Sequence, residues 1–300
     1  MPTLLMHLTA IERMAANPGD LPVDWVRALA EDLPYARFGA ALPDLPLCEG
    51  VRGGLSAFLP ERELPPFARL YHERAPVGFG LKMAELVATG AAGGNEAGLA
   101  LAGGLLHAPC GMDRRGLYPR GGPDWCSGTA GRGERARDAH REIEWAQTLF
   151  YLRELHGVDL LGTPRLREKC QVVKSPGFPW RGIGRGIYEL VRLSSQERVG
   201  QAPSKADVDG WVRGLYISGL FLSSPMGRAR ALPAYAHLSF QELYRNDAFD
   251  YSAEVEGALE SARGVLRRLH GYMARGTFTP RTRARFLEVF PEGTLGACAA

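Results

Sequence analysis

Hydrophobic residues recur at helical spacing in several separate parts of the chain. Residues 4–14 carry apolar side chains every three or four positions, and the turn sequence Asn17-Pro18-Gly19-Asp20 follows them. The same spacing runs from residue 251 to residue 273, and residues 22–33 continue into a turn that contains Asp44. The pattern therefore predicts amphipathic helices at both ends of the chain, each with one face in the core.

Three further segments also have helical patterns. Residues 80–107 read as helical, with small residues between Ala88 and Gly94 interrupting the middle, and their second half is almost wholly apolar, which is typical of a buried helix. A charged helix is predicted from residue 134 to residue 156. Ser204 and Asp207 have the spacing of a capping box at the start of an apolar helix. By contrast, residues 109–133 are rich in Gly, Pro and Arg and predict a long loop of a kind that is often functional.

The pattern contains no convincing strand, so the predicted fold is all-α, a multi-helix bundle. We expect one helical domain over residues 1–300, because this length with 45% hydrophobic residues can bury a large core. Residues 1–156 would form its first half and residues 204–300 its C-terminal helices. Residues 157–203, with several prolines and glycines, would be an irregular connection between them.

Composition narrows the possible partners. The chain has 36 basic and 33 acidic residues, a net charge of +3, which is too close to balance to indicate nucleic acid or an anionic membrane as the main partner, so no nucleic acid is expected. No apolar stretch is long enough to predict stable membrane insertion, and the first residues lack the features of a signal peptide, so we expect a cytoplasmic protein. Five widely spaced cysteines without a C-x-x-C motif indicate reduced, structural thiols.

The strongest local signal for chemistry is the pair His140 and Glu144. Side chains four residues apart on a helix point the same way, so this pair could hold one metal ion. A charged, solvated helix face also produces this spacing, and that alternative remains open. The same is true of His107, which ends the apolar helix before Asp113 and could instead be a core histidine bonded to a carbonyl oxygen.

Weaker candidates lie earlier in the chain. His7 lies beside the first apolar stripe, Asp44 follows an apolar turn, and His72 lies within Leu70-Tyr71-His72-Glu73. The order of these residues resembles that of the zinc-dependent phospholipase C family, whose relatives include the fungal single-strand nucleases. The order is a His near the N-terminus, a Gly-Ala-x-x-Pro-Asp turn, another His, a buried helix that ends in His with an Asp beyond it, and a later His-x-x-x-Glu. The resemblance covers about residues 1–156 and implies one to three zinc ions with seven ligands: His7, Asp44, His72, His107, Asp113, His140 and Glu144.

The resemblance also implies a function. Family members hydrolyse phosphodiesters with a zinc-activated water, which predicts a small phosphodiester or lipid substrate and makes Asp44 the candidate catalytic base as well as a ligand. Two departures stand against it: His107 and Asp113 are farther apart than the family's H-x-x-x-D, and Tyr118 replaces a His. The alternatives are a descendant whose metal site has decayed or been repurposed, and an unrelated helical protein.

These interpretations predict a geometry. The ligand atoms of His7, Asp44, His107, His140 and Glu144 should converge, with mutual distances of about 3 to 7 Å. The loop over residues 109–133 should line the rim of the metal site and determine the choice of substrate.

Overall fold

The structure, a computed structural model, describes ten stretches of the chain: residues 4–49, 65–73, 76–91, 96–107, 134–157, 159–174, 181–231, 240–247, 249–275 and 278–290. In them the chain is predominantly helical, as predicted. The helices are α1 (Leu4–Ala16), α2 (Val23–Glu31), α3 (Leu33–Ala41), a 3-10 helix (Leu45–Cys48), α4 (Pro66–Glu73), α5 (Pro76–Ala88), α6 (Glu96–His107), α7 (Glu134–His156), α8 (Pro164–Lys169), α9 (Arg185–Val199), α10 (Lys205–Leu222), α11 (Pro225–Ala231), α12 (Phe240–Leu243), α13 (Tyr251–Met273) and α14 (Pro280–Val289).

These stretches also contain a short β-hairpin, which the sequence did not predict. Strands β1 (Arg245–Asn246) and β2 (Phe249–Asp250) pair antiparallel, with Arg245 opposite Asp250. With two residues each they are too short to carry a clear alternation of apolar and polar positions. Asp250 then caps α13 by accepting a hydrogen bond from the backbone of Ala253 at 3.1 Å.

Several predicted helices are confirmed. The apolar stripes at residues 4–14 and 251–273 correspond to α1 and α13. The capping box is present: the Ser204 hydroxyl accepts from the Asp207 backbone at 3.2 Å, and the Asp207 carboxylate accepts from the Ser204 backbone at 2.7 Å. Each of these signals is local, so the sequence alone could reveal it.

One expectation about helix boundaries is confirmed and one was wrong. The small residues predicted to interrupt residues 80–107 lie where α5 ends, in a Schellman turn with Gly90 at φ +67°, where Ala91 N–H donates to the Leu86 carbonyl at 3.1 Å. Residues 157–203, expected to be irregular, contain α8 and α9. Helix α9 begins after Gly184 and ends at Gly200, whose φ of +77° suits a helix C-terminus.

Helix α6 lies at the centre of the fold, as its apolar sequence predicts, and it packs against α2, α3, α5 and α13. Its contact with α3 is closest because glycine occupies both sides. A Cβ on Gly39 would lie 2.0 Å from the carbonyl oxygen of Leu101, and one on Gly104 would lie 1.9 Å from that of Ala36. The crossing positions the C-terminal ends of two helices that matter for the candidate site. Helix α3 leads directly into Asp44, and α6 ends at His107.

The 3-10 helix and α4 pack against each other. The 3-10 helix also lies against α10, where a Cβ on Gly214 would be 1.7 Å from the Cys48 carbonyl oxygen. Helix α4 is held by aromatic contacts, with the Phe67 ring centroid 5.5 Å from that of Trp211. No helix among the described residues is both long enough and apolar enough to cross a membrane.

Candidate metal centre

Four of the seven predicted ligands have side chains that the structure describes, and all four are buried. His7 on α1 is 1% exposed, Asp44 before the 3-10 helix 4%, His72 on α4 7% and Glu144 on α7 8%. Burial of four ionisable or polar side chains is costly unless each finds a partner, so they are not surface residues that happen to match a pattern. The side chains of His107 and His140, and all of Asp113, lie outside the described residues.

Asp44 and His72 are brought together by the fold. Nε2 of His72 lies 3.1 Å from Oδ1 of Asp44, and the two side chains are 9% and 6% exposed. The other ring nitrogen, Nδ1, lies 2.6 Å from the carbonyl oxygen of Ala68, one helical turn earlier on α4. Both nitrogens of this imidazole therefore face oxygen atoms.

The two contacts limit the chemical state of the ring. A carbonyl oxygen can only accept a hydrogen bond, so Nδ1 must carry a proton and donate it to Ala68. An ionised carboxylate is also only an acceptor, so Nε2 facing Asp44 is satisfied in one of two ways. Either the ring takes a second proton and forms an imidazolium–carboxylate pair, or a cation lies between Nε2 and Oδ1.

The geometry suits the second possibility as well as the first. Zinc bonds to nitrogen and oxygen are about 2.0 to 2.1 Å, so two ligand atoms of a tetrahedral site are about 3.3 Å apart. The observed separation of 3.1 Å between Nε2 and Oδ1 is close to that value. A metal-binding histidine usually donates its other N–H to a carbonyl or carboxylate, which is what Nδ1 of His72 does with Ala68.

The backbone around Asp44 is fixed by turn hydrogen bonds. Its N–H donates to the Ala41 carbonyl at 2.9 Å, and its own carbonyl accepts from Leu47 N–H at 2.9 Å. The carboxylate therefore stands at the junction between the end of α3 and the 3-10 helix. This explains how a turn after an apolar helix presents a buried carboxylate, as the sequence suggested.

His72 is held through its neighbour Tyr71, which the sequence analysis did not single out. The Tyr71 hydroxyl lies 2.9 Å from Oγ of Ser195 on α9, and the Tyr71 ring stacks on Phe79 at 5.0 Å. Burial raises the pKa of Tyr71, so its hydroxyl stays protonated and can donate. No local pattern connects Tyr71 with Ser195, because they lie 124 positions apart.

Glu144 lies on a buried face of α7, which contradicts the solvated-face alternative for this residue. Nearby on the same helix, Gln147 donates from Nε2 to the Leu243 carbonyl at 2.8 Å. Burial, with a contribution from the negative charge of Glu144, raises the pKa of Tyr251. Glu144 therefore lies close to the first turn of α13.

The predicted convergence is not seen among the three of its five residues whose side chains are described, His7, Asp44 and Glu144; the two ligands that meet, Asp44 and His72, are a pair that this prediction did not name. Within the stretches that the structure describes, no three His, Cys, Asp or Glu side chains form a group that could hold a metal ion. His7 and Glu144 therefore do not join Asp44 and His72 in such a group. The contributions of His107, Asp113 and His140 remain predictions, as does the position of loop 109–133, which also lies outside the described residues.

The structure also contains a partly buried charge cluster that the sequence did not indicate. The carboxylate of Glu12 pairs with Arg37 at 2.7 Å and with Lys169, and so ties α1 to α3 and α8. Beside it, burial raises the pKa of the Cys170 thiol to about 12. Cys48 and Cys170 are both buried, as expected for structural thiols.

Comparisons with protein-family models, with curated proteins and with solved structures gave no match to this chain.

Proposed function

We propose that this protein is a metal-dependent phosphodiester hydrolase of the phospholipase C-like type, with zinc held at a centre that includes Asp44 and His72. The observation that carries the proposal is the buried pair itself. Nε2 and Oδ1 are separated by the spacing of two ligands on one ion, and the remaining ring N–H donates to the Ala68 carbonyl. The substrate would be a small phosphodiester or a phospholipid.

The ligand set would combine this pair with three other residues named by the resemblance, His107, Asp113 and His140, whose side chains lie outside the described residues. His7 and Glu144 form no metal-binding group with Asp44 and His72 and are therefore left out of this centre. Imidazole nitrogen and carboxylate oxygen are donors that zinc accepts in hydrolytic sites. When bound, zinc would polarise a phosphoryl oxygen and lower the pKa of the attacking water.

Asp44 and His72 would have different tasks in the reaction. His72 is oriented by its Nδ1–H bond to Ala68, so its Nε2 lone pair has a fixed direction. Asp44 offers two oxygens: Oδ1 faces His72, and Oδ2 would accept the proton that leaves the water as it attacks phosphorus. Their burial lowers the local dielectric and strengthens both interactions.

A second candidate is a descendant whose metal site has decayed. The same pair supports it, because an imidazolium–carboxylate pair would balance the two charges without any ion. Tyr118 and the long His107 to Asp113 spacing also favour it. In this case the protein would bind a ligand or catalyse other chemistry, and Asp44 with His72 would serve stability.

Metal content and hydrolysis together distinguish the two candidates. Zinc per chain is measured by mass spectrometry after purification without added metal, and hydrolysis is followed with bis(p-nitrophenyl) phosphate and with p-nitrophenylphosphorylcholine. The hydrolase proposal expects one to three zinc ions per chain and turnover that chelator abolishes. Asp44→Asn and His72→Gln should then lower both zinc content and turnover.

The chain offers a matched control at its surface. His270 and Asp24 form a similar pair, with Nε2 3.3 Å from Oδ2, but their side chains are 32% and 52% exposed. Asp24→Asn and His270→Gln should leave zinc content and turnover unchanged. Wild-type protein that takes up no zinc, even when zinc is supplied, would contradict the hydrolase proposal and favour the decayed site.

A further inference from the structure

We propose that Tyr71, through its hydrogen bond to Ser195, is a positioning residue that fixes the direction of His72 toward Asp44. The inference rests on the proposed metal function. Tyr71 and Ser195 are buried and lie outside the predicted ligand set. The inference is that their hydrogen bond affects how tightly the centre binds metal.

Helix α4 needs external contacts to hold a ligand in place. It has 8 residues, and isolated helices shorter than about 12 to 15 residues are marginal in water. Its orientation must therefore come from side-chain contacts with neighbouring helices. Phe67 and Tyr71, one turn apart, supply them on one face by contacting Trp211 and Phe79.

The stacking of Tyr71 on Phe79 holds the two rings together but still allows one ring to rotate over the other. The hydrogen bond from Tyr71 to Ser195 is directional and therefore limits that rotation. The Ser195 hydroxyl donates its single proton to the Val191 carbonyl at 2.7 Å. Ser195 Oγ must therefore accept from the Tyr71 hydroxyl, 2.9 Å away. Both side chains are buried, so water does not compete for this bond.

The fixed direction of Tyr71 passes to His72 through the helix backbone. Successive side chains on an α-helix are about 100° apart, so a rotation of α4 that breaks the Tyr71 bond also turns His72. The Nδ1 bond to Ala68 cannot prevent this, because Ala68 lies on the same helix and turns with it. The separation of Nε2 from Oδ1 of Asp44 therefore depends on the bond between Tyr71 and Ser195.

Tyr71→Phe tests the inference with little disturbance. The variant keeps the ring and its stacking on Phe79, and Ser195 still donates to Val191, so no buried donor loses its acceptor. Ser195→Ala removes the same bond from the other side. Ser194→Ala is the control, a buried serine in the same turn of α9. All are compared as the full chain, after circular dichroism has shown native helix content.

The main measurement is the zinc dissociation constant, obtained by competition with a chromogenic chelator. Loss of a group that hydrogen-bonds a metal ligand directly typically weakens metal binding about 10- to 100-fold. Because Tyr71 acts on His72 through the helix backbone, we expect the lower end of that range, about tenfold, for Tyr71→Phe and for Ser195→Ala. The double variant should be no weaker than either single variant, because both remove the same bond. Ser194→Ala should bind zinc as tightly as the wild type. A second readout, without metal, is the ¹⁵N shift of the His72 ring, which should change in the first two variants only.

The outcomes separate this inference from the proposed function. If the wild type binds no zinc, the proposed function fails and this inference fails with it. If the wild type binds zinc and Tyr71→Phe and Ser195→Ala bind it equally tightly, only the positioning role is overturned, and a lowered melting temperature in those variants would then reflect structural support alone. Should either variant not fold, the other decides by the same comparison with Ser194→Ala.

Discussion

Gly104 of α6 lies so close to the carbonyl oxygen of Ala36 on α3 that a Cβ at position 104 would be 1.9 Å from that oxygen. Gly39 has the same relationship to Leu101, so the two helices touch backbone to backbone. Neither helix can yield locally, because the obstructing atoms belong to backbone held in helical hydrogen bonds. The crossing therefore fixes the relative positions of the segment that leads to Asp44 and the helix that ends at His107.

This contact predicts a large effect of Gly104→Ala. Overpacking a core with one methyl group typically costs about 1 to 3 kcal/mol, and here we expect about 3 kcal/mol or more, since backbone must move. Urea denaturation measures the change in the free energy of unfolding. Gly210→Ala on α10 is the control, because no atom lies within 4 Å of its added Cβ. That variant should be stabilised by about 0.5 to 1 kcal/mol through helix propensity.

The pair of Asp44 and His72 predicts energetic coupling in metal-free protein. Asp44→Asn and His72→Gln each leave a buried polar group with an altered partner, so a double-mutant cycle in chelator should give a coupling of about 1 to 3 kcal/mol. The surface pair Asp24 and His270 should couple by less than about 1 kcal/mol, because water screens it. Equal coupling in the two pairs would show that burial of Asp44 and His72 gives them no special stability.

Because the thiol of Cys170 is buried, we expect the protein to lose stability at high pH. Burial raises the pKa of its thiol from 9.0 to about 12, so between those values the unfolded chain has lost this proton and the native chain has not. The unfolded state then binds fewer protons, and stability falls as pH rises through this window. Cys170→Ala should reduce the slope of unfolding free energy against pH between 9 and 11. Alkylation of Cys170, followed by peptide mass spectrometry, should require unfolding; rapid labelling in native buffer would contradict its burial.

We expect the ion pairs of Arg283 to hold helix α14 against α5 and α9. The Arg283 guanidinium forms an ion pair with Glu85 of α5. Its Nη1 also lies 3.8 Å from Oε1 of Glu197 on α9, and Oε2 of Glu197 lies 2.6 Å from Nζ of Lys82. Arg283→Ala should speed hydrogen exchange across residues 280–289, with a loss of about 0.5 to 1 kcal/mol that shrinks at high salt. Arg281→Ala, an exposed change on the same helix, should not. If both variants exchange alike, packing of Phe286 holds the helix instead.

The candidate site could be foreseen in part from the sequence. The residue types and order that suggest zinc named Asp44 and His72, and these two are the described ligands that meet. The sequence could not identify Tyr71 or Ser195 as supports, since a tyrosine in an apolar helix is an ordinary core residue by pattern. Nor could it foresee that Glu144 is buried, because charged neighbours give α7 no clear apolar face.

The sequence by itself determined the features that depend on neighbouring residues. Apolar spacing defined α1 and α13, the Ser204 and Asp207 side chains began α10, and an unbroken apolar run made α6 a buried helix. Tertiary structure alone decided the rest. It joined Asp44 to His72 and Tyr71 to Ser195, and it selected Gly104 for the crossing with Ala36. Such contacts depend on where whole helices pack, and residues distant in sequence carry no periodic signal of a shared position in space.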